Sequence, residues 1–208
     1  MSAPTIKVED HIQACDDGRR REREAGTLIG ITIHRIDFPE RNVASVADIA
    51  KAFREVPDAR AATGGEMPYS VLALKDGRLQ QALEVGDIGP HARSYNSSTI
   101  GLAAHGDFTK EVYRLNQWSN LAILTAWLCV YIGGEPKALV RGHDERPGGS
   151  SDPTKKCPGV FWPMDKFREL VSMRAVEIRT ALNKDGELPA SEVCFMAEKA
   201  LLAMGLVF

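Results

Sequence analysis

The sequence predicts a mixed α/β domain, a central β-sheet flanked by helices, with further helices at the carboxyl end. Three observations carry this. Short alternating or β-branched runs recur at residues 28–37, 69–83 and 99–104. Helical periodicity separates them at 45–56 and 109–132. Two more helical stretches, about 164–182 and 189–204, close the chain.

Composition sets the bounds. The chain has 208 residues and 44% apolar side chains, enough for one sizeable core. Net charge is -2, so nothing argues for nucleic acid or an acidic membrane surface as partner. The four cysteines (Cys15, Cys129, Cys157, Cys194) show no paired spacing, so a disulfide framework is not expected. The first residues lack an apolar signal core, which predicts synthesis in the cytoplasm without a classical signal peptide. The longest apolar run, residues 121–132, falls short of the roughly 20 residues a membrane span needs and reads as a buried helix.

Each element has a local reason. Residues 5–25 are polar, with Arg19, Arg20, Arg21 and Arg23 clustered, and read as a solvated amphipathic helix or arm. LIGITIHRID, residues 28–37, is a buried strand with His34 near its end. Taken alone, a histidine there is more often structural than ligating. At 45–56, Ser45 caps a helix whose Val46, Ile49, Ala50 and Phe53 share one face. Residues 69–74 and 78–83 form a hairpin about Asp76–Gly77. Tyr69 opens it, and by itself reads as an aromatic packed on the sheet. The loop at 89–98 is dense in donors and acceptors, among them His91, Arg93, Tyr95 and Asn96. In the helix at 109–132, Val112, Leu115, Leu121, Leu124 and Leu128 are the expected core residues, and Gly133–Gly134 ends it. Residues 138–140 make one more short strand, delivering His143. The turn NKDGELPASE places Asn183, Asp185, Gly186 and Glu192 at calcium-loop spacing. Its first ligand position is Ala181, so a helical hairpin with a charged turn is expected instead.

One loop concentrates the chemistry. RGHDERPGGSSDPTKKCPG, residues 141–159, is too rich in Gly, Ser, Asp and Pro for a helix or strand. It carries His143 and Cys157 near its two ends. Imidazole nitrogen and thiolate both ligate zinc, so a metal gripped by both ends would fix the loop. Two ligands are not a site, and a third must come from elsewhere.

Four segments, in order, resemble the zinc-dependent N-acetylmuramoyl-L-alanine amidases, the family that includes phage lysozyme-type amidases and the peptidoglycan recognition proteins. They are ITIHRID, MPYSVLALKDGRL, GPHARSYNSSTIGLAAHGDF and the 141–159 loop, together covering roughly residues 28–161. The resemblance implies His34, His143 and Cys157 as ligands of Zn2+. It implies Tyr69 and Lys155 as catalytic groups beside the metal, and His91 and Asn96 in the substrate groove. Many members have a second His after the first ligand; here that position is Arg35.

The implied activity is hydrolysis of the amide between N-acetylmuramic acid and L-alanine in peptidoglycan. Three protein ligands leave the fourth zinc position open, the catalytic arrangement. A phage or prophage endolysin, reaching the wall through a pore made by another protein, is the role expected first. A cytosolic amidase recycling soluble muropeptides and a non-catalytic peptidoglycan-binding module of the same fold are the alternatives. Residues 1–26 are expected as a polar segment, 27–165 as the catalytic domain and 166–208 as a helical extension packed on it, in a monomer.

Overall fold

The strand that carries His34 lies inside the sheet, between two parallel neighbours. The computed structural model describes residues 3–16, 18–19, 21–24, 26–38, 43–147, 156–183, 186 and 188–208. Among these, the strands are β1 (Val8–Asp10), β2 (Gly30–Ile36), β3 (Val71–Ala73), β4 (Leu79–Gln81), β5 (Thr99–His105) and β6 (Val140–Gly142). They form one sheet in the order β1-β4-β3-β5-β2-β6. Strand β2 runs parallel to both neighbours, β5 and β6. Strand β4 is antiparallel to β3 in the predicted hairpin. The mixed α/β class is as the sequence predicts.

The helices are α1 (Ile12–Cys15), α2 (Val46–Glu55), α3 (Pro57–Thr63), α4 (Leu115–Ile132), α5 (Pro136–Leu139), α6 (Met164–Leu182) and α7 (Ala190–Ala203). From Leu121 onward helix α4 is apolar on nearly every side, and such a stretch must be covered on both flanks. It is: the sheet covers one flank and α6 and α7 the other, with Leu121, Leu124 and Leu128 fully buried. On the opposite sheet face, α2 starts with a capping box between Ser45 and Asp48. It lays Val46, Ile49, Ala50 and Phe53 onto Leu72 and Ala103. None of the described helices is long and apolar enough to cross a membrane.

An aromatic cluster ties the carboxyl helices to the sheet domain. Trp162 packs on Phe108 and Trp118, each with ring centroids 4.8 Å away, and on Phe167 of α6 at 5.5 Å. Phe167 is fully buried. Phe167→Ala is therefore expected to cost about 3–5 kcal/mol, the usual range for emptying a buried aromatic site. A shifted urea midpoint at unchanged slope would show it. A loss below about 1 kcal/mol would mean that the cluster is not packed as described.

Three expectations change. The amino-terminal segment is not a solvated helix or arm. Val8–Asp10 adds a parallel strand to β4, and Ile12 and Cys15 are buried. Arg19 donates to the Gly64 carbonyl at 3.0 Å, Arg21 pairs with Glu66 at 2.7 Å and Arg23 donates to the Asn96 carbonyl at 2.6 Å. Those basic side chains bind the domain itself; Arg20 lies outside the described residues. Helix α4 starts at Leu115 rather than 109, and Val112 and Leu115 are exposed rather than in the core. The segment before it turns about Asp107, whose carboxylate accepts from the Thr109 N–H and hydroxyl. Where a strand was expected at 138–140, Pro136 at the first position starts a single helical turn instead. Strand β6 follows and still delivers His143.

Candidate metal centre

Alternation along β2 aims the site. Ile31 and Ile33 point into the core shared with α4, so Thr32 and His34 point to the other face. Opposite His34 in register is Ala103, small enough to leave room above the sheet. Strand β6 ends beside β2 and passes directly into the turn His143–Glu145, which brings the second imidazole alongside. The rings of His34 and His143 lie 4.6 Å apart.

Cys157 reaches the same point from the far end of its loop. Its carbonyl accepts from the Asp144 N–H at 2.9 Å. Two residues on, Gly159 sits at φ 130°, and a Cβ there would stand 2.5 Å from the Phe108 carbonyl oxygen. Only glycine fits so close to that backbone. The Cys157 Sγ lies 3.7 Å from His34 Nδ1 and accepts from the Arg35 N–H at 3.4 Å.

The ligand atoms of His34, His143 and Cys157 all lie within 4.8 Å of one another, the one such group of His, Cys, Asp or Glu found among the described residues. The donor set fits zinc. Tetrahedral zinc with bonds of about 2.05 Å to nitrogen and 2.3 Å to sulfur puts those two atoms about 3.6 Å apart. The 3.7 Å between Nδ1 and Sγ matches that spacing. Burial, aided by His91, His143 and Arg146 nearby, holds His34 well below its ordinary range. Burial also lowers His143, against the pull of Asp144. Both rings are therefore neutral at neutral pH, the form that ligates. Burial pushes the Cys157 thiol up to about 12, with the Arg35 N–H and guanidinium opposing. Without a cation the thiol keeps its proton.

Tyr69 joins the cluster, its ring centroid 5.0 Å from that of His34. The ring is held by Phe53, at 6.1 Å, and by the apolar patch under α2. Its hydroxyl has no hydrogen-bond partner among the described residues, and burial raises its pKa. Arg35 forms an ion pair with Asp107 and donates to Thr109 at 3.2 Å. Lys155 lies outside the described residues.

The two residues expected in the groove, His91 and Asn96, make defined contacts beside the site. His91 is buried behind His34, with Nδ1 at 3.1 Å from His34 Nε2 and Nε2 at 3.0 Å from the Thr99 carbonyl. Both ring nitrogens are engaged. Asn96 uses its side-chain oxygen on the Ala92 N–H at 2.6 Å and so pins the loop that carries His91. On the other flank, Asp144, Lys156, Pro158, Gly159 and Trp162 line an open cavity of about 510 Å³.

Sequence reasoning missed the brace on the His143 turn. The Glu145 carboxylate accepts from the Gly142 N–H at 2.8 Å. It also takes both arms of the Arg168 guanidinium, at 2.6 and 3.0 Å, a bidentate fork from α6. The signal was a charged residue on the buried side of α6, next to Phe167; its partner was not readable. The calcium-like turn includes Asp185, which is not described; Asn183 bonds both backbone groups of Leu188 and links α6 to α7.

A family model described as N-acetylmuramoyl-L-alanine amidase matches residues 26–160. Among solved structures, the Ph2119 endolysin from a Thermus scotoductus bacteriophage aligns with TM-score 0.59 at 21% identity, over 80% of this chain and 99% of that one. The amidase LysC from Clostridium intestinale aligns with TM-score 0.55 at 17% identity, over 79% and 97%. Drosophila PGRP-LB aligns with TM-score 0.56 at 20% identity, over 76% and 95%. At these identities the likeness is one of fold. No curated protein sequence matches the chain significantly.

Proposed function

The chain belongs to the N-acetylmuramoyl-L-alanine amidase family, and from that membership we propose a zinc-dependent hydrolase of the amide between N-acetylmuramic acid and L-alanine in peptidoglycan. One observation carries the reading: His34 from β2 and His143 and Cys157 from the two ends of one loop converge to within 4.8 Å. These three residues would hold the ion, and with no fourth His or Cys in the group among the described residues, they would leave a position for chemistry. Bound there, zinc supplies a Lewis acid for the carbonyl and lowers the pKa of a water from about 15.7 toward 7.

The chain's own groups do the rest. Tyr69 keeps its proton because burial raises its pKa, so it acts as a donor. Its partnerless hydroxyl is available to the oxygen on which charge develops as the carbonyl is attacked. Lys155 is assigned by the family resemblance as the second positive charge for that oxygen. The Arg168–Glu145 fork keeps the His143 turn in place while substrate enters and leaves.

The substrate in this reading is the intact wall, as for an endolysin. Purified sacculi, with and without a chelator, give the test. The expected result is chelator-sensitive release of L-alanine amino termini with no new reducing sugar ends. Reducing ends would mean glycan cleavage and would overturn the reading. Binding to sacculi without release would point to a recognition module. Release only from soluble muropeptides would keep the chemistry and move the role to recycling.

A further inference from the structure

His91 has no place in the chemistry above, yet it is buried against the first ligand. The two rings meet edge to face, with centroids 5.2 Å apart. The contact is a hydrogen bond whose direction is fixed by its surroundings. The Thr99 carbonyl can only accept, so the His91 Nε2 at 3.0 Å from it must carry a proton. A rival donor to that nitrogen would be the Thr99 hydroxyl, 3.4 Å away. That hydroxyl already donates to the Tyr95 carbonyl at 2.8 Å.

A second proton on His91 is excluded by its setting. The ring is 6% exposed, and among the described residues its nitrogens contact only His34 and the Thr99 groups, with no carboxylate bonded to it to balance a second proton. The ring is neutral, so its Nδ1 is a bare acceptor. The 3.1 Å contact then needs a proton on His34 Nε2. A neutral His34 with its proton on Nε2 has its lone pair on Nδ1, the atom that faces Cys157.

We propose that His91 is a positioning residue that fixes the tautomer and orientation of His34, so that Nδ1 is presented to the metal. The inference rests on the metal reading of the preceding section. The chain from the Thr99 carbonyl through His91 to His34 reaches the ion without His91 touching it. Strand β5 is shaped for this. A Cβ on Gly101 would stand 2.7 Å from the His91 Cγ, so only glycine leaves room for the ring across the strand. Asn96 pins the loop through the Ala92 N–H, next in sequence to His91.

The test reads the tautomer directly and the metal separately. Long-range 1H–15N NMR on the wild-type protein, metal-free and zinc-loaded, is expected to show both His34 and His91 protonated on Nε2. A proton on His34 Nδ1 in the metal-free protein would overturn the proposal. His91→Phe keeps a ring in the site but removes both hydrogen bonds. It is expected to weaken zinc binding about 10- to 100-fold in competition with a chromophoric chelator, the usual effect of losing such an outer partner. His91→Gln, which can both accept and donate, should recover most of that loss. Were His91 only filling space, Phe would bind zinc like wild type, and that result would sink the proposal while leaving the metal site standing. If the wild type itself took up no zinc, the metal reading and this one would fall together.

Discussion

Replacing Cys157 with Ala is expected to abolish zinc binding and, with it, amide hydrolysis. Losing an outer hydrogen-bond partner of a ligand already costs about 10- to 100-fold in affinity, so losing a ligand outright should exceed about 100-fold. The remaining pair, His34 and His143, has rings 4.6 Å apart but no third donor to close the grip. A proton signature accompanies the loss. Burial holds the Cys157 thiol near 12, so at neutral pH it is protonated without metal. Zinc takes the thiolate, and binding must expel that proton. The histidines add none, because burial lowers both. The sign follows: wild-type affinity rises with pH, about tenfold per unit from this thiol, and falls as acid is added. Calorimetry in buffers of different ionisation enthalpy should find about one proton released per zinc in the wild type. Any zinc that Cys157→Ala still binds should release about one proton fewer than the wild type. A variant that kept both metal and activity would show that Cys157 is not a ligand.

The legible part of this protein was what depends on pattern. Helix α6 spans Met164–Leu182 as the periodicity predicts, and the hairpin about Asp76–Gly77 forms in place. Strands β2 and β5 read correctly because both are buried on two faces and dense in apolar residues. Strand β1 did not, since three residues with one buried side chain leave no period to detect. The start of α4 was misplaced for a related reason. Val112 and Leu115 fit the helical spacing, but the Asp107 turn takes the chain away before the helix begins.

The site divided in the same way. The resemblance supplied His34, His143, Cys157 and Tyr69, and the structure brings these together. It could not supply the outer layer. Which nitrogen of His91 meets which atom depends on the register of β5 against β2 and on the room left by Gly101. The Arg168–Glu145 fork joins positions 23 apart in sequence, a pairing that no local spacing announces. Motifs record groups that touch the chemistry. The bonds that hold those groups depend on tertiary contacts.

Tyr69→Phe should separate turnover from everything else. The ring is 8% exposed, and Phe53 and the α2 patch support its apolar body, so Phe fills the same space. The hydroxyl has no partner among the described residues, so removing it breaks no bond to them. Stability should hold, since the apolar body of the ring keeps its packing. Zinc affinity should match the wild type, because the tyrosine is not in the ligand group. Turnover is a different matter. A donor aimed at the oxygen that gains charge in the transition state is worth about 100- to 1000-fold in kcat. Because the interaction strengthens as charge develops, the loss should fall on kcat, with KM little changed. The measurement is kcat, KM, zinc content and melting temperature on one preparation. A fall in kcat with the other three unchanged assigns the hydroxyl to the transition state. Unchanged kcat would return Tyr69 to a packing role, and its missing partner would then need another explanation.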